Sequence, residues 1–433
     1  MSKQTLCIIS PFRTRSGYGQ HSRLILDAIF KTPEITDNYD IRLISTKWGS
    51  TPLTGIDLDN PMHQLWLQQE VVQLTDQPDV SIQISIPSEF QRIGKRSFGI
   101  TAGTEVTIAP LKFIEGCNVV DMVMVPSIFT KDVLIGTKYD KKDPNGRIEH
   151  TLQVDKPFEV LFEGLDLEVF DKNKYVKDSP IVKQLDEIKE PFAYLCCGMW
   201  TQGELGQDRK DIGSVVKVFY DSFKNKKTRP ALVLKVNGAG FSFPERDQII
   251  EKINDIQEIV RSEGFSGKLP NVYLINGDLS DSEMNTLYNH PKIKALVSFT
   301  KGEGAGLPLL EFTSTGKPII CSGYSGQMDF LNPDFTCLIP GQLTQIDRSA
   351  ANEWLPKEGQ WFTVNYPYAG QLMVDVFENY DKHLERSRKM VKYTKDNFSL
   401  EAMRLKFLDI WNRYVTPEPK RIQLNLPQLK KIT

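Results

Sequence analysis

The segment Ser298 to Glu311, SFTKGEGAGLPLLE, gathers groups able to do chemistry. It starts at the end of an apolar run and leads into a helical pattern, so Gly302, Gly304 and Gly306 stand at a helix entrance. Glycines there let backbone N–H groups approach an anion while the helix dipole favours negative charge. Glu303 and Glu311 carry carboxylates, which accept hydrogen bonds from the hydroxyls of a polyol. Glu303 precedes the helix, so helical spacing alone does not bring the two together. A second glycine-bearing loop, Arg13 to Arg23 (RTRSGYGQHSR), joins the first apolar run to the first helix. Gly17 and Gly19 would admit a phosphate at that helix start, and Arg13, Arg15, His21 and Arg23 make the loop basic.

The elements that must position these loops alternate between short apolar runs and helical patterns, the signature of parallel α/β sheets. Thr5–Ser10, Ile41–Ser45, Val80–Ile86, Ser97–Thr101, Met122–Pro126 and Val160–Gly164 read as strands of a first block, with a helix near Gly19–Phe30 and another capped by Ser127. Residues 171–191 are polar, charged and carry two prolines, which reads as a linker. A second block offers strands at Phe192–Cys197, Ala231–Val236, Val272–Asn276, Ala295–Phe299 and Pro318–Cys321. Its helices read near Asp211–Phe223, Ser280–Tyr288 and Pro308–Thr315, and an amphipathic stretch from Leu372 to Tyr414 closes the chain. The expected fold is α/β: two doubly wound, Rossmann-like domains facing a cleft.

Composition narrows the function classes. With 433 residues, 40 % hydrophobic and 25 % charged, the chain has enough apolar material for two cores and is neither disordered nor fibrous. No run approaches the length of a membrane span, and the apolar part of MSKQTLCIISPF is too short for a signal peptide, so a cytoplasmic location is expected. Lys+Arg 53 against Asp+Glu 55 leaves a net charge of -2, so no global basic field announces nucleic-acid binding. The six cysteines form no CxxC pair and read as free thiols; the five histidines show no metal spacing. Asn237-Gly238-Ala239-Gly240 after a strand lacks the full G-x-G-x-x-G of a dinucleotide site.

Glu303-Gly304-Ala305-Gly306-Leu307-Pro308-Leu309-Leu310-Glu311 resembles the E-x7-E motif of retaining GT-B glycosyltransferases of the family-4 type. Gly277-Asp278-Leu279-Ser280-Asp281, Gly316-Lys317-Pro318-Ile319-Ile320 and the loop Ser322–Leu331 resemble that family's flanking elements. In the first half, Val125-Pro126-Ser127 with Phe129-Thr130, and Glu163-Gly164-Leu165-Asp166 with Val169-Phe170, resemble its remaining motifs. The resemblance implies the GT-B fold and sugar transfer from a nucleotide-diphospho-sugar with retention, with no metal and no other cofactor. It implies an N-terminal, acceptor-side domain over residues 1–170, a nucleotide-sugar domain over 171–400, and a final helix and tail, about 400–433, crossing back to the first.

By the same resemblance Glu303 contacts the donor sugar and Glu311 the donor ribose. Gly304, Ala305, Gly306 and Leu307 line the sugar and diphosphate, while Gly277 and Leu279 border the base. Arg209 and Lys210 fit the basic pair that neutralises the diphosphate leaving group. The loop bearing Gly17, Tyr18 and Gly19 closes over the donor phosphates and borders the acceptor, which places Arg13, Arg15 and His21 on the acceptor side. Where many relatives carry a histidine, this chain has Gly99-Ile100-Thr101-Ala102-Gly103-Thr104-Glu105, so Thr104 and Glu105 are the residues expected to line the site. Asp57-Leu58-Asp59 and Asp166-Leu167-Glu168 contain the pairs a metal-dependent transferase would use. The first lies in a turn-rich segment and the second belongs to the linker motif, so neither is read as a metal site.

The combination RSGYGQHSR, ITAGTE and IEGCN is similar to glycosyltransferases of tailed phages, which implies host cytoplasm as the location. It also puts two acceptors in play: a glycan, or a hydroxymethylated or already glycosylated base of phage DNA. For DNA, Arg13, Arg15, Arg23, Lys420, Arg421, Lys430 and Lys431 would form the phosphate track. The alternative from another class is a non-catalytic GT-B module that binds a glycan or a partner.

Overall fold

The computed structural model describes residues 3–238 and 241–415. Two six-stranded, wholly parallel sheets organise it. The first orders its strands Tyr39–Ser45, Gln4–Ser10, Val80–Ile84, Arg96–Ile100, Met122–Val125 and Phe158–Val160. Ile8 pairs with Leu43 on one side and Ile82 on the other, and consecutive Leu6, Cys7 and Ile8 are all buried, so this strand is apolar on both faces, as a sheet covered by helices requires. The second sheet runs Val272–Ile275, Ala231–Asn237, Ala193–Met199, Ile293–Ser298, Ile319–Ser322 and Cys337–Ile339. Adjacent Cys196 and Cys197 pack into cores on opposite faces of it, and all six cysteines are free thiols. Among the described residues no helix is long and apolar enough to cross a membrane.

Several expectations need correction. Residues 171–191 are not a bare linker: Pro180–Asp186 is helical and buries Ile181 and Leu185 in the second unit's core. The strand expected at Val160–Gly164 is instead Phe158–Val160. The amphipathic stretch is three helices, Tyr366–Glu378, Tyr380–Phe398 and Leu400–Tyr414, broken near Asn379 and Ser399. A 20-residue helix, Phe243–Ser262, and a hairpin, Gly341–Gln345 with Gln360–Val364, were not expected.

Leu400–Tyr414 does not stay with the second sheet. It buries Met403, Phe407, Ile410 and Trp411 against Leu6, Ile8 and Leu26 of the first core, and Trp411 meets the Tyr39 ring edge-on at 5.2 Å. The two chain crossings between the units are stitched together: Leu165 N–H donates to Phe398 at 2.8 Å and Leu400 N–H to Leu165 at 2.9 Å. A cavity left at Phe407 would therefore loosen the first core and its tie to the second unit. Phe407→Ala is expected to cost about 3–5 kcal/mol, read as a lowered urea midpoint with the far-ultraviolet spectrum of the folded state retained.

Candidate functional site

In open parallel sheets a ligand crevice forms at the carboxyl ends of the strands where the strand order reverses. In the second sheet that point lies between Ala193–Met199 and Ile293–Ser298. The loops leaving these two strands carry Arg209 and Lys210 on one side and Glu303 on the other. Lys210 Nζ donates to Glu303 Oε1 at 2.5 Å, Thr300 Oγ1 donates to the same oxygen at 2.7 Å, and Arg209 Nη1 lies 3.5 Å from Oε2. The Glu303 N–H donates to Ser325 Oγ at 2.9 Å. Burial alone would raise the Glu303 carboxyl, but the Lys210 and Arg209 charges outweigh it and hold the group below its ordinary range.

The first unit reaches into this cluster through the loop after Arg96–Ile100. Arg209 Nη2 lies 3.6 Å from Glu105 Oε1, so one guanidinium faces a carboxylate from each unit. Thr104 is buried there, its hydroxyl without a partner among the described residues. Val106, next along, is fully buried against Ile346, Leu355 and Trp361 of the second unit, and Thr107 exchanges two hydrogen bonds with Gln360, each 2.9 Å. A Cβ at Gly302 would overlap the Glu105 carbonyl, and one at Gly304 the Ala102 carbonyl. The approach of the two units thus requires glycine at both positions.

The N–H groups of Ala305, Gly306 and Leu307 have no acceptor among the described residues. Gly306 takes the left-handed conformation, φ 103, that starts the helix Leu307–Thr313. Glu311, on that helix, accepts from the Tyr288 hydroxyl at 2.8 Å. Burial, followed by the charge of Asp281, pushes its carboxyl up to about 8, against the lowering effect of Tyr288. Gly277 faces open space. The Leu279 carbonyl is taken by the guanidinium of Arg15, which also bonds Asp278 at 2.8 Å and lies 3.3 Å from Asp281. Arg15 is therefore a clamp between the units, not a free acceptor-side cation. Beside it opens a cavity of about 570 Å³ bordered by His63, Trp66, Asp166 and Asp281. A second cavity, about 600 Å³, lies between helices Ile212–Phe223 and Tyr366–Glu378 and is lined by none of the expected site residues.

The first glycine loop differs most from expectation. Ser16 caps the helix Gly17–Phe30 by accepting from the Gly19 N–H, and a Cβ at Gly19 would overlap the Thr14 carbonyl. Gly19 serves packing and capping; Gly17 is exposed. Tyr18 stacks on Trp48 at 4.0 Å and shares a 2.9 Å hydrogen bond with Thr101, which turns it inward. His21 is fully buried with Nδ1 2.8 Å from Glu163 Oε1, so it is not a surface cation. Arg13 is paired with Glu70, and buried Arg23 donates to the carbonyls of Phe12 and Thr14. The expected phosphate track thus has these arginines engaged elsewhere, and its lysines and arginine at 420, 421, 430 and 431 lie outside the described residues, as do Ala239 and Gly240. The acidic triplets are local turns: Asp57 accepts from the Asp59 N–H and Asp166 from the Glu168 N–H. Among the described residues no group of three or more His, Cys, Asp or Glu is placed to hold a metal.

Thr300, Ser325 and Tyr288 support the two glutamates and were not singled out from the sequence. Thr300 sits three residues before Glu303 and could have been; Tyr288 meets Glu311 only through the fold. The raised Glu311 carboxyl has a stability consequence. Between its ordinary value of 4.5 and about 8 the folded chain holds a proton that the unfolded chain has lost, so folding stability falls as pH rises through that window. Glu311→Gln removes this dependence. The variant should match wild type near pH ~5 and exceed its thermal midpoint near pH ~9, with the two midpoints compared across a pH series.

No protein-family model and no curated protein matches the chain. Solved structures do. A glycosyltransferase from Rickettsia africae ESF-5 aligns with a TM-score of 0.62 at 13 % identity, covering 96 % of this chain and 99 % of that one. Sucrose-phosphate synthase from Thermosynechococcus elongatus gives 0.60 at 13 %, covering 95 % and 99 %. The E. coli trehalose-6-phosphate structure bound with UDP-2-fluoro glucose gives 0.58 at 12 %, covering 94 % and 98 %. At such identities the likeness is one of fold, and it runs the length of both chains: this chain has the two-domain GT-B glycosyltransferase fold.

Proposed function

We propose that the chain is a retaining glycosyltransferase that moves a sugar from a nucleotide-diphospho-sugar to a hydroxyl acceptor without a metal. The observation that carries this reading is the meeting of Glu303 with Lys210, Arg209 and Thr300 at the switch point of the second sheet, under a loop from the first unit. In the reaction Glu303 accepts hydrogen bonds from hydroxyls of the donor sugar. Arg209 and Lys210 take up the charge that develops on the diphosphate as its bond to the anomeric carbon breaks, the service a divalent ion would otherwise give. The N–H groups of Ala305, Gly306 and Leu307 supply further donors, and Glu311 with Tyr288 receives the ribose. The acceptor hydroxyl attacks from the face the diphosphate leaves; its oxygen bonds the anomeric carbon and its proton passes to a phosphate oxygen. Glu105 then serves to hold Arg209 rather than as a base.

The acceptor is a glycan hydroxyl or a hydroxymethylated or already glycosylated DNA base. The engagement of Arg13, Arg15 and Arg23 within the protein favours the glycan. Nucleotide release measured over a panel of donor sugars, with and without each acceptor, tests the reading; a chain that binds but never turns over is the non-catalytic alternative. Glu303→Ala should lower transfer by about 10²–10³-fold with the fold retained, and near-normal turnover in that variant would sink the assignment. Chelation should leave the rate unchanged; a strict Mn²⁺ or Mg²⁺ requirement overturns the metal-free mechanism. If DNA is the acceptor, the rate falls steeply between low and moderate salt, whereas a glycan acceptor gives a flat response.

A further inference from the structure

Beneath the Arg209–Lys210 turn lies an ionic group to which the reaction above gives no part. Lys301, two residues before Glu303, is fully buried, and so is Asp211. Lys301 Nζ stands 3.2 Å from Asp211 Oδ2, 3.1 Å from Thr363 Oγ1 and 3.4 Å from the Tyr366 hydroxyl. Three oxygens thus meet the three protons of the ammonium. The Tyr366 hydroxyl in turn donates to the same Asp211 oxygen at 2.7 Å, and the Trp361 ring lies with its centroid 5.5 Å from Nζ.

The main chain of Lys301 is fixed as well. Its N–H donates to the Arg209 carbonyl at 2.8 Å, and its own carbonyl accepts from the Phe362 N–H at 2.9 Å. Asp211, at the far end of the turn, adopts φ 53 and ψ 34, a left-handed conformation that residues other than glycine rarely take. One residue therefore holds both ends of Arg209-Lys210-Asp211, the first by its backbone and the third by its side chain, and its chain continues within two residues to Glu303.

Buried ion pairs add little to stability over apolar packing, because desolvation offsets their attraction. What this one adds is a fixed geometry. We infer that Lys301 is a positioning residue, which with Asp211 and Tyr366 holds Arg209 and Lys210 in register with Glu303 for the donor diphosphate. The inference rests on the glycosyl-transfer reading.

The full chain is compared as wild type, as the charge-free double variant K301M/D211N and as Y366F. Each is assayed for thermal midpoint and for Kd toward UDP, GDP, ADP, CDP and dTDP by calorimetry, and for kcat and KM with the donor wild type uses. K301M/D211N is expected to keep its midpoint within a few degrees of wild type, yet to bind the preferred diphosphate at least ~10-fold more weakly with a lower kcat. Y366F, which keeps the ring, should weaken binding ~3-fold. A lowered midpoint with Kd and kcat unchanged would mean a merely structural role and overturns the inference. Should the double variant not fold, an unchanged Kd in Y366F overturns it alone. If wild type binds none of the diphosphates, the glycosyl-transfer reading itself falls, and this inference with it.

Discussion

The contact of main chain on main chain at Gly302 and Gly304 sets how closely the two sheets' domains approach each other. Side chains at these positions would collide with the carbonyls of Glu105 and Ala102, so closure to this distance needs two residues without Cβ atoms. With the loops in contact, Arg209 faces Glu105 and Glu303 at once, and Val106 is sealed among Ile346, Leu355 and Trp361. On the far side Arg15 reaches Asp278, Leu279 and Asp281, and Asp329 accepts from the Ile128 N–H at 2.8 Å, capping a helix of the first unit from the second. Together with the Leu165–Ser399 hinge, these contacts join the domains by small polar and apolar patches in place of one large core.

Closure also removes water from the charges, and this decides how they must be arranged. An isolated buried charge is costly, and removing one partner of a buried pair leaves that cost uncompensated. Several cations of the cleft accordingly have nearby anions: Lys210 and Arg209 have Glu303, Arg209 also has Glu105, Lys301 has Asp211, and Arg15 has Asp278 and Asp281, while buried Arg23 is met by the carbonyls of Phe12 and Thr14. Glu311 forms no ion pair among the described residues, and the charge of Arg15 only partly offsets its burial. It has a tyrosine hydroxyl and carboxylate neighbours, and its ionised form is correspondingly disfavoured. The two glutamates of one short motif therefore sit in opposite electrostatic settings: Glu303 is held as an anion, while Glu311 is a carboxyl close to neutrality.

The fold was legible in the sequence because parallel strands covered on both faces are short apolar runs, and Leu6–Ile9 or Leu232–Val236 carries that signature without reference to the rest of the chain. The strand Gly341–Gln345 was not, because it is mostly exposed and polar; its antiparallel partner Gln360–Val364 makes the contact with the other domain, through Trp361 beside Val106 and Gln360 bonded to Thr107. The same division runs through the site. Glu303, Glu311 and the glycines between them are contiguous, so their pattern can be read in line. The basic residues of the loop Arg13–Arg23 were expected to face the donor phosphates and the acceptor, and their partners in the fold are instead remote in sequence: Glu163 for His21, Glu70 for Arg13, Asp278 for Arg15. Local polarity cannot tell a solvated arginine from one turned inward onto carbonyls, as Arg23 is.

That inward turning bears on what kind of ligand the cleft can take. In the proposed reaction a diphosphate arriving at Lys210 and Arg209 meets cations already held by carboxylates, so it exchanges one anion for another and does not fill a naked positive site. Such an exchange needs little reorientation of the protein dipoles, since the cations already point where negative charge will develop, and preorganisation of this kind is the main electrostatic source of rate enhancement in enzymes. The carboxylate released from Lys210 is Glu303, and in the proposed reaction it turns to the sugar hydroxyls. One displacement then both neutralises the leaving group and frees the group that orients the sugar. A site whose cations were merely exposed would bind phosphate without that coupling; in the proposed reaction the Lys210–Glu303 contact joins binding of the diphosphate to capture of the sugar.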